Sequence, residues 1–231
     1  MNSEKQFLEN LAHLRERIKS ACDRCHRPVD EVELMAVTKT HPVQAARWAV
    51  AAGLERIGEN RVQEAAQKRP QMAGPAGLWE LIGPLQSNKA RLALETVDRI
   101  QTVDRLKLVR VLDRLCGELG RDAFPVLLQV NVGEDPAKHG CRADEADRLV
   151  DAIRHSGHLK LEGLMTIGEL TDDEKRIRAT FARLRNLRDR LEHEWEIPLP
   201  VLSMGMTDDL ELAIEEGSTL IRVGTALFGS R

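Results

Sequence analysis

Eight short aliphatic stretches, separated by longer charged segments, constrain this chain more than any other feature. They fall at 34–38, 56–57, 78–82, 99–102, 125–132, 159–164, 200–202 and 219–223. The segments between them carry helical periodicity. Leu106, Val109, Leu112, Leu115 and Leu119 mark one apolar stripe; Ile177, Phe181, Leu184, Leu187, Leu191 and Trp195 mark another. Strands alternating with helices predict an α/β fold of βα units paired in parallel. Eight units in 231 residues suit a single (β/α)8 TIM-type barrel, which typically takes about 250. A doubly wound open sheet is the competing architecture. No linker long enough to separate domains is visible, and Gly74 to Gly77, with Pro75, reads as a loop. Residues 1–231 are therefore expected to form one barrel domain, with an extra N-terminal helix within 1–27 packed on it.

In that first segment Phe7, Leu11, Leu14, Ile18, Cys22 and Cys25 recur at spacings of three and four, which is one face of a helix. Cys22, Cys25 and His26 also spell C-x-x-C-H, the attachment motif of a c-type haem. Buried cysteine behaves as a small hydrophobe, so the thiols are expected to extend the apolar stripe, with no metal site.

Composition narrows the function. The 34 Lys plus Arg against 37 Asp plus Glu leave a net charge of −3, without the basic footprint of a duplex-binding protein. Aromatic residues are 3% of the chain, too few for a base-stacking platform. No apolar run approaches the roughly 18 residues of a transmembrane helix, and the N-terminus lacks the apolar centre of a signal peptide. The expectation is a cytoplasmic protein with reduced cysteines and neither nucleic-acid nor membrane partners.

In a parallel barrel the chemistry sits at the C-terminal ends of the strands. Lys39 ends the first stretch and shares a face with Val37 and Met35. If that face points inward, desolvation favours the neutral amine that Schiff-base chemistry requires; otherwise Lys39 is a solvated strand-end lysine. Near the other end, Ser203-Met204-Gly205-Met206-Thr207-Asp208-Asp209 follows a short strand and opens a helix, with Asp208 and Glu211 at capping-box spacing. Gly205 permits close backbone approach, and a helix start offers N–H groups to an anion. The last stretch runs Arg222-Val223-Gly224-Thr225. Barrels often bind phosphate with the loops after strands seven and eight, which are these two places. Arg222 in an aliphatic strand points to a bound anion or an aromatic nitrogen, the alternative being a snorkelling edge-strand arginine. Asn60 follows the second stretch and is either a polar contact in the same mouth or an N-cap. Gly83 to Lys89 lacks the second glycine and the Ser or Thr of a P-loop.

Six ordered blocks carry a resemblance: Ala36-Val37-Thr38-Lys39-Thr40, Gly58-Glu59-Asn60-Arg61-Val62-Gln63-Glu64, Ile82-Gly83-Pro84-Leu85-Gln86-Ser87-Asn88-Lys89, Gly163-Leu164-Met165-Thr166-Ile167, the 203–209 block and Arg222-Val223-Gly224-Thr225-Ala226-Leu227-Phe228-Gly229. The chain closely resembles the pyridoxal 5′-phosphate homeostasis proteins, which are alanine racemase N-terminal-domain-like, fold-type III barrels. The resemblance implies a monomer whose Lys39 forms an internal aldimine with the cofactor. It further implies that Ser203, Gly224 and Thr225 hold the phosphate, that Arg222 faces the pyridine nitrogen and that Asn60 lies near the ring. Two departures stand out. Trp79-Glu80-Leu81 replaces the family's common Trp-His-Phe, and Thr207 replaces a serine while keeping a hydroxyl.

Family members are regarded as carriers or regulators of the vitamin B6 pool without an established reaction. Other B6 vitamers and transient contact with PLP-dependent apoenzymes come with that role. Arg222 has donors only, so a ring nitrogen facing it stays unprotonated and is a weak electron sink. The chain has no tyrosine, and no residues remain for a second domain to supply one, so a two-base racemase is not expected. The competing readings are a PLP-dependent enzyme acting on an amino acid and a cofactor-free Schiff-base lyase acting on a sugar phosphate.

Overall fold

The structure, a computed structural model, describes residues 3–74, 76–133, 135 and 137–229. Pro75 of the expected loop, and the ends of the expected 1–231 domain, lie outside the described residues. Eight parallel strands, β1 (Glu33–Val37), β2 (Arg56–Glu59), β3 (Leu78–Leu81), β4 (Arg99–Val103), β5 (Phe124–Gln129), β6 (Leu159–Met165), β7 (Val201–Ser203) and β8 (Leu220–Val223), close into a barrel in sequence order. β8 returns to β1 with Met35 opposite Arg222. The expected barrel is therefore observed and the open sheet is not.

Helices α2 (Val43–Ala51), α3 (Val62–Lys68), α4 (Ala90–Thr96), α5 (Leu106–Leu119), α6 (Ala146–Arg154), α7 (Glu174–Trp195), α8 (Leu210–Glu215) and α9 (Thr225–Phe228) follow the strands, and α1 (Glu4–Arg24) precedes them. The centres of the stripes predicted for α5 and α7 are buried, Val109, Leu112 and Leu115 on one and Ile177, Phe181, Leu184, Leu187 and Leu191 on the other. The stripe ends Leu106, Leu119 and Trp195 are half-buried. One local expectation fails. Asp208 and Glu211 form no capping box, because Arg17 of α1 takes the Glu211 carboxylate at 2.6 and 2.9 Å. Asp209 instead accepts from the N–H of Met206 at 2.6 Å, bracing the turn before α8.

α1 starts at Ser3, whose hydroxyl accepts from the Gln6 N–H, and carries Glu4 and Arg24 at the ends that suit the helix dipole. Phe7, Leu11, Leu14, Ile18 and Cys22 are buried, and Phe7 stacks on Phe228 of α9 with ring centroids 5.4 Å apart. Cys25 caps the helix half-buried, its thiol 3.2 Å from the Ala21 carbonyl oxygen, and burial raises the pKa of Cys22. The C-x-x-C-H segment is thus a helix end seated on the barrel. Phe7→Ala should cost about 3–5 kcal/mol in urea denaturation, whereas Leu8→Ala, half exposed on the same helix, should stay within about 0.5.

Candidate functional site

Lys39 lies two residues beyond β1. Met35 and Val37 pack with Leu220 in a cluster separate from the main core, so the alternation that links them to Lys39 points into the barrel. The backbone on either side of Lys39 is clamped from outside the barrel. The Thr38 hydroxyl donates to Glu59 Oε1 at 2.6 Å, Lys68 Nζ donates to the Thr38 carbonyl at 2.8 Å, and the Thr40 N–H donates to Glu64 at 2.8 Å. Thr40 itself adopts a left-handed conformation, φ 63°. Such a residue persists only when its surroundings over-determine it, and the three bonds do so.

Glu59 and Lys68 form a buried ion pair at 2.7 Å. Glu59 Oε2 is buried without a hydrogen-bond partner among the described residues. Burial pushes the Glu59 pKa above the usual carboxylate range, against the pull of Lys68 and Thr38.

At the opposite end of the chain, Arg222 is almost wholly buried. Its guanidinium donates to Ser203 Oγ at 2.7 Å and to the Thr166 carbonyl at 2.8 Å, and its N–H donates to the Gly205 carbonyl at 3.0 Å. Burial pulls its pKa down to about 10, while Asp209 and Glu80 hold it up, so the cation persists at neutral pH. Gly205, at φ 94°, is required where it stands: a Cβ there would lie 2.5 Å from the Ala213 Cβ. Gly224 lets β8 turn into α9 against β1, since its Cβ would sit 3.1 Å from the Val37 carbonyl oxygen.

These elements meet at a cavity of about 340 Å³ at the C-terminal mouth of the barrel, within the usual size of small-molecule pockets. Lys39, Asn60, Arg222, Gly224 and Thr225 all line it. Ser203 and Gly205, also expected at the site, are buried outside that lining and reach it through their bonds to Arg222. His41, Thr207 and Asp208 also line the cavity: the sequence marks Thr207 and Asp208 only as members of the 203–209 block, not as site residues, and gives no sign of His41. A larger hollow of about 880 Å³ opens alongside, sharing Ile167, Met206 and Asp208. It contains neither Lys39 nor Arg222, and its carboxylates Glu211 and Glu215 are ion-paired with arginines. Among the described residues no cluster of His, Cys, Asp or Glu could hold a metal, and no helix is long and apolar enough to cross a membrane.

This closed parallel barrel, with an amine beyond its first strand and a buried arginine in its last, has the fold of the N-terminal domain of alanine racemases. The model of that family, "Alanine racemase, N-terminal domain", matches residues 10–231. The pyridoxal phosphate homeostasis protein of Pseudomonas aeruginosa is 43% identical over 96% of this chain and 95% of its own. That of Escherichia coli K12 is 40% identical over 96% and 95%. The chain belongs to the alanine racemase N-terminal-domain family, among its pyridoxal phosphate homeostasis proteins. The solved structure of PipY from Synechococcus elongatus with PLP bound is 40% identical, with a TM-score of 0.82 over 93% of this chain and 99% of that one. A Clostridium difficile alanine racemase shares the fold at 14% identity and a TM-score of 0.80, with this chain covering 57% of it.

Replacing Lys68 with Met strands the Glu59 charge and should cost about 3–5 kcal/mol of stability by urea titration. The raised Glu59 pKa gives a pH signature with a definite sign. The folded chain keeps a proton that the unfolded chain has lost, so this group's contribution to stability grows as pH falls through the folded pKa. Wild type should therefore gain on Glu59→Gln as the pH is lowered from neutrality toward the usual carboxylate range; a pH-independent gap would contradict the shift.

Proposed function

We propose that this protein binds pyridoxal 5′-phosphate covalently at Lys39 and serves as a carrier or regulator of that cofactor rather than as an enzyme. The observation that carries the reading is the convergence of Lys39 and the buried Arg222 on one cavity of about 340 Å³. Its donor set suits the cofactor: an amine for the aldehyde, a guanidinium for the ring nitrogen, and the Gly224-Thr225 turn with the Thr207 hydroxyl for the phosphate. The amides of Thr225 and Ala226 open α9, and the Ala226 N–H approaches Thr207 Oγ1 at 3.4 Å. Asn60, held on the loop after β2, lies beside the ring in this reading.

The bound cofactor supplies an aldehyde that captures amines and a ring that withdraws electrons. Lys39 anchors it, the Thr38 and Thr40 clamp keeps the amine at one height in the barrel, and Arg222 donates toward the ring nitrogen. Because guanidinium has no lone pair to accept a proton bond, the nitrogen facing it remains an acceptor and the ring a weak electron sink. That disfavours carbanion chemistry and favours a holder. The names of the relatives and PLP bound in PipY support this reading over an amino-acid enzyme or a sugar-phosphate lyase. Transfer to PLP-dependent apoenzymes, binding of other vitamers, and a monomeric cytoplasmic state complete it.

The test is borohydride reduction of protein mixed with pyridoxal phosphate, followed by peptide mass mapping. Wild type should carry the reduced adduct on Lys39, and Lys39→Ala should lose both that adduct and the visible absorption band. Equal labelling of the two proteins would overturn the assignment.

A further inference from the structure

The interior of a parallel barrel is normally packed with layers of branched aliphatic side chains. Here it contains a continuous polar chain. Arg222 on β8 donates to Ser203 Oγ at the end of β7. Ser203 donates across the barrel to Gln101 Oε1 on β4 at 2.7 Å, and Gln101 Nε2 donates to Glu80 Oε2 on β3 at 2.7 Å. β4 and β7 are not neighbours, so the Ser203–Gln101 bond runs through the lumen. Glu80 also accepts from Arg99 at 2.7 and 2.8 Å and from Arg56 at 2.7 Å. Its two oxygens thus receive four N–H groups, the full capacity of a carboxylate. Glu80, Gln101, Ser203 and Arg222 are all at most 4% exposed.

Every direction in this chain is forced. Arginine can only donate, so Ser203 must accept from Arg222 and has one proton left, which goes to Gln101 Oε1. That fixes the Gln101 amide with its nitrogen toward Glu80. The Ser203 hydroxyl is therefore committed to Arg222 and Gln101, and Glu80 is the ionised end against which the sequence of bonds is set.

Resting on the cofactor reading above, we propose that Glu80, Gln101 and Ser203 form a relay through the barrel that aims the Arg222 guanidinium into the cofactor cavity. Glu80 is the fixed counter-charge, and Gln101 and Ser203 are positioning residues. Ser203 then acts on the cofactor through Arg222 rather than by touching its phosphate. The same relay gives Glu80 its part: the acid anchors Gln101 while pairing with Arg56 and Arg99.

The test pairs Gln101→Met, which keeps the side-chain volume, with Ser203→Ala and the double variant. Pyridoxal phosphate affinity is read by titration of the visible band. In cofactor-free protein, the Arg222 guanidinium is read by its 15N NMR signals. Each single variant should weaken binding about tenfold and speed rotation and exchange of the Arg222 N–H groups, and the double variant should also lose only about tenfold. Losses that multiply in the double variant would overturn the relay. So would a Gln101→Met protein that binds like wild type while Ser203→Ala does not, which would put Ser203 on the phosphate directly. The NMR arm needs no cofactor: if wild type binds none, the cofactor reading fails while the relay is still decided. If Gln101→Met does not fold, unchanged Arg222 signals in Ser203→Ala overturn the relay.

Discussion

The charge of Arg222, held with almost no contact with water, is the constraint on which the site depends. A buried guanidinium survives only if its N–H groups find acceptors and its charge finds a partner. The protein meets the first need with Ser203 Oγ and the Thr166 carbonyl, and the second with Asp209 and, further off, Glu80. Those demands account for a serine ending β7, for a glutamine and a glutamate where a barrel interior would be aliphatic, and for the close turn at Gly205 that brings a carbonyl to the Arg222 amide. Arg222 then faces the cavity that Lys39 also lines.

Lys39 is placed by a different logic. In the proposed reading its side chain is the group that reacts, and the protein restrains its neighbours instead. Thr38 and Thr40 are fixed from the outer side of the barrel by Glu59, Lys68 and Glu64, and the lysine is the inward-pointing residue between them. The arrangement divides the labour: a buried ion pair between barrel and α3 sets the height of the amine, while the lumen network sets the direction of the arginine.

The periodicity of the sequence carries the fold because each strand and each amphipathic helix announces itself locally. The alternation of Met35, Val37 and Lys39 places the amine on the inner face, and Arg222 amid Leu220, Ile221 and Val223 is visible as a charge needing a partner. What sequence alone does not show is which side chains meet across the lumen, since Glu80, Gln101 and Ser203 are far apart in the chain. Glu80 is noticeable only as an odd residue within a familiar block. The Asp208–Glu211 spacing misleads for a similar reason: Arg17, nearly two hundred residues away, competes for Glu211 more strongly than a local amide does. Resemblance places Ser203 in the phosphate cradle, yet its hydroxyl is engaged below the cavity.

In the proposed reading Arg222 meets the cofactor as an obligate donor and keeps its ring nitrogen unprotonated. The direct measurement is the 15N chemical shift of the ring nitrogen in labelled pyridoxal phosphate bound to the protein at neutral pH. An unprotonated pyridine shift is predicted, and it should persist as the pH is lowered within the range where the protein stays folded. A pyridinium shift would contradict the account, because it would mean that an acid, not Arg222, faces the ring.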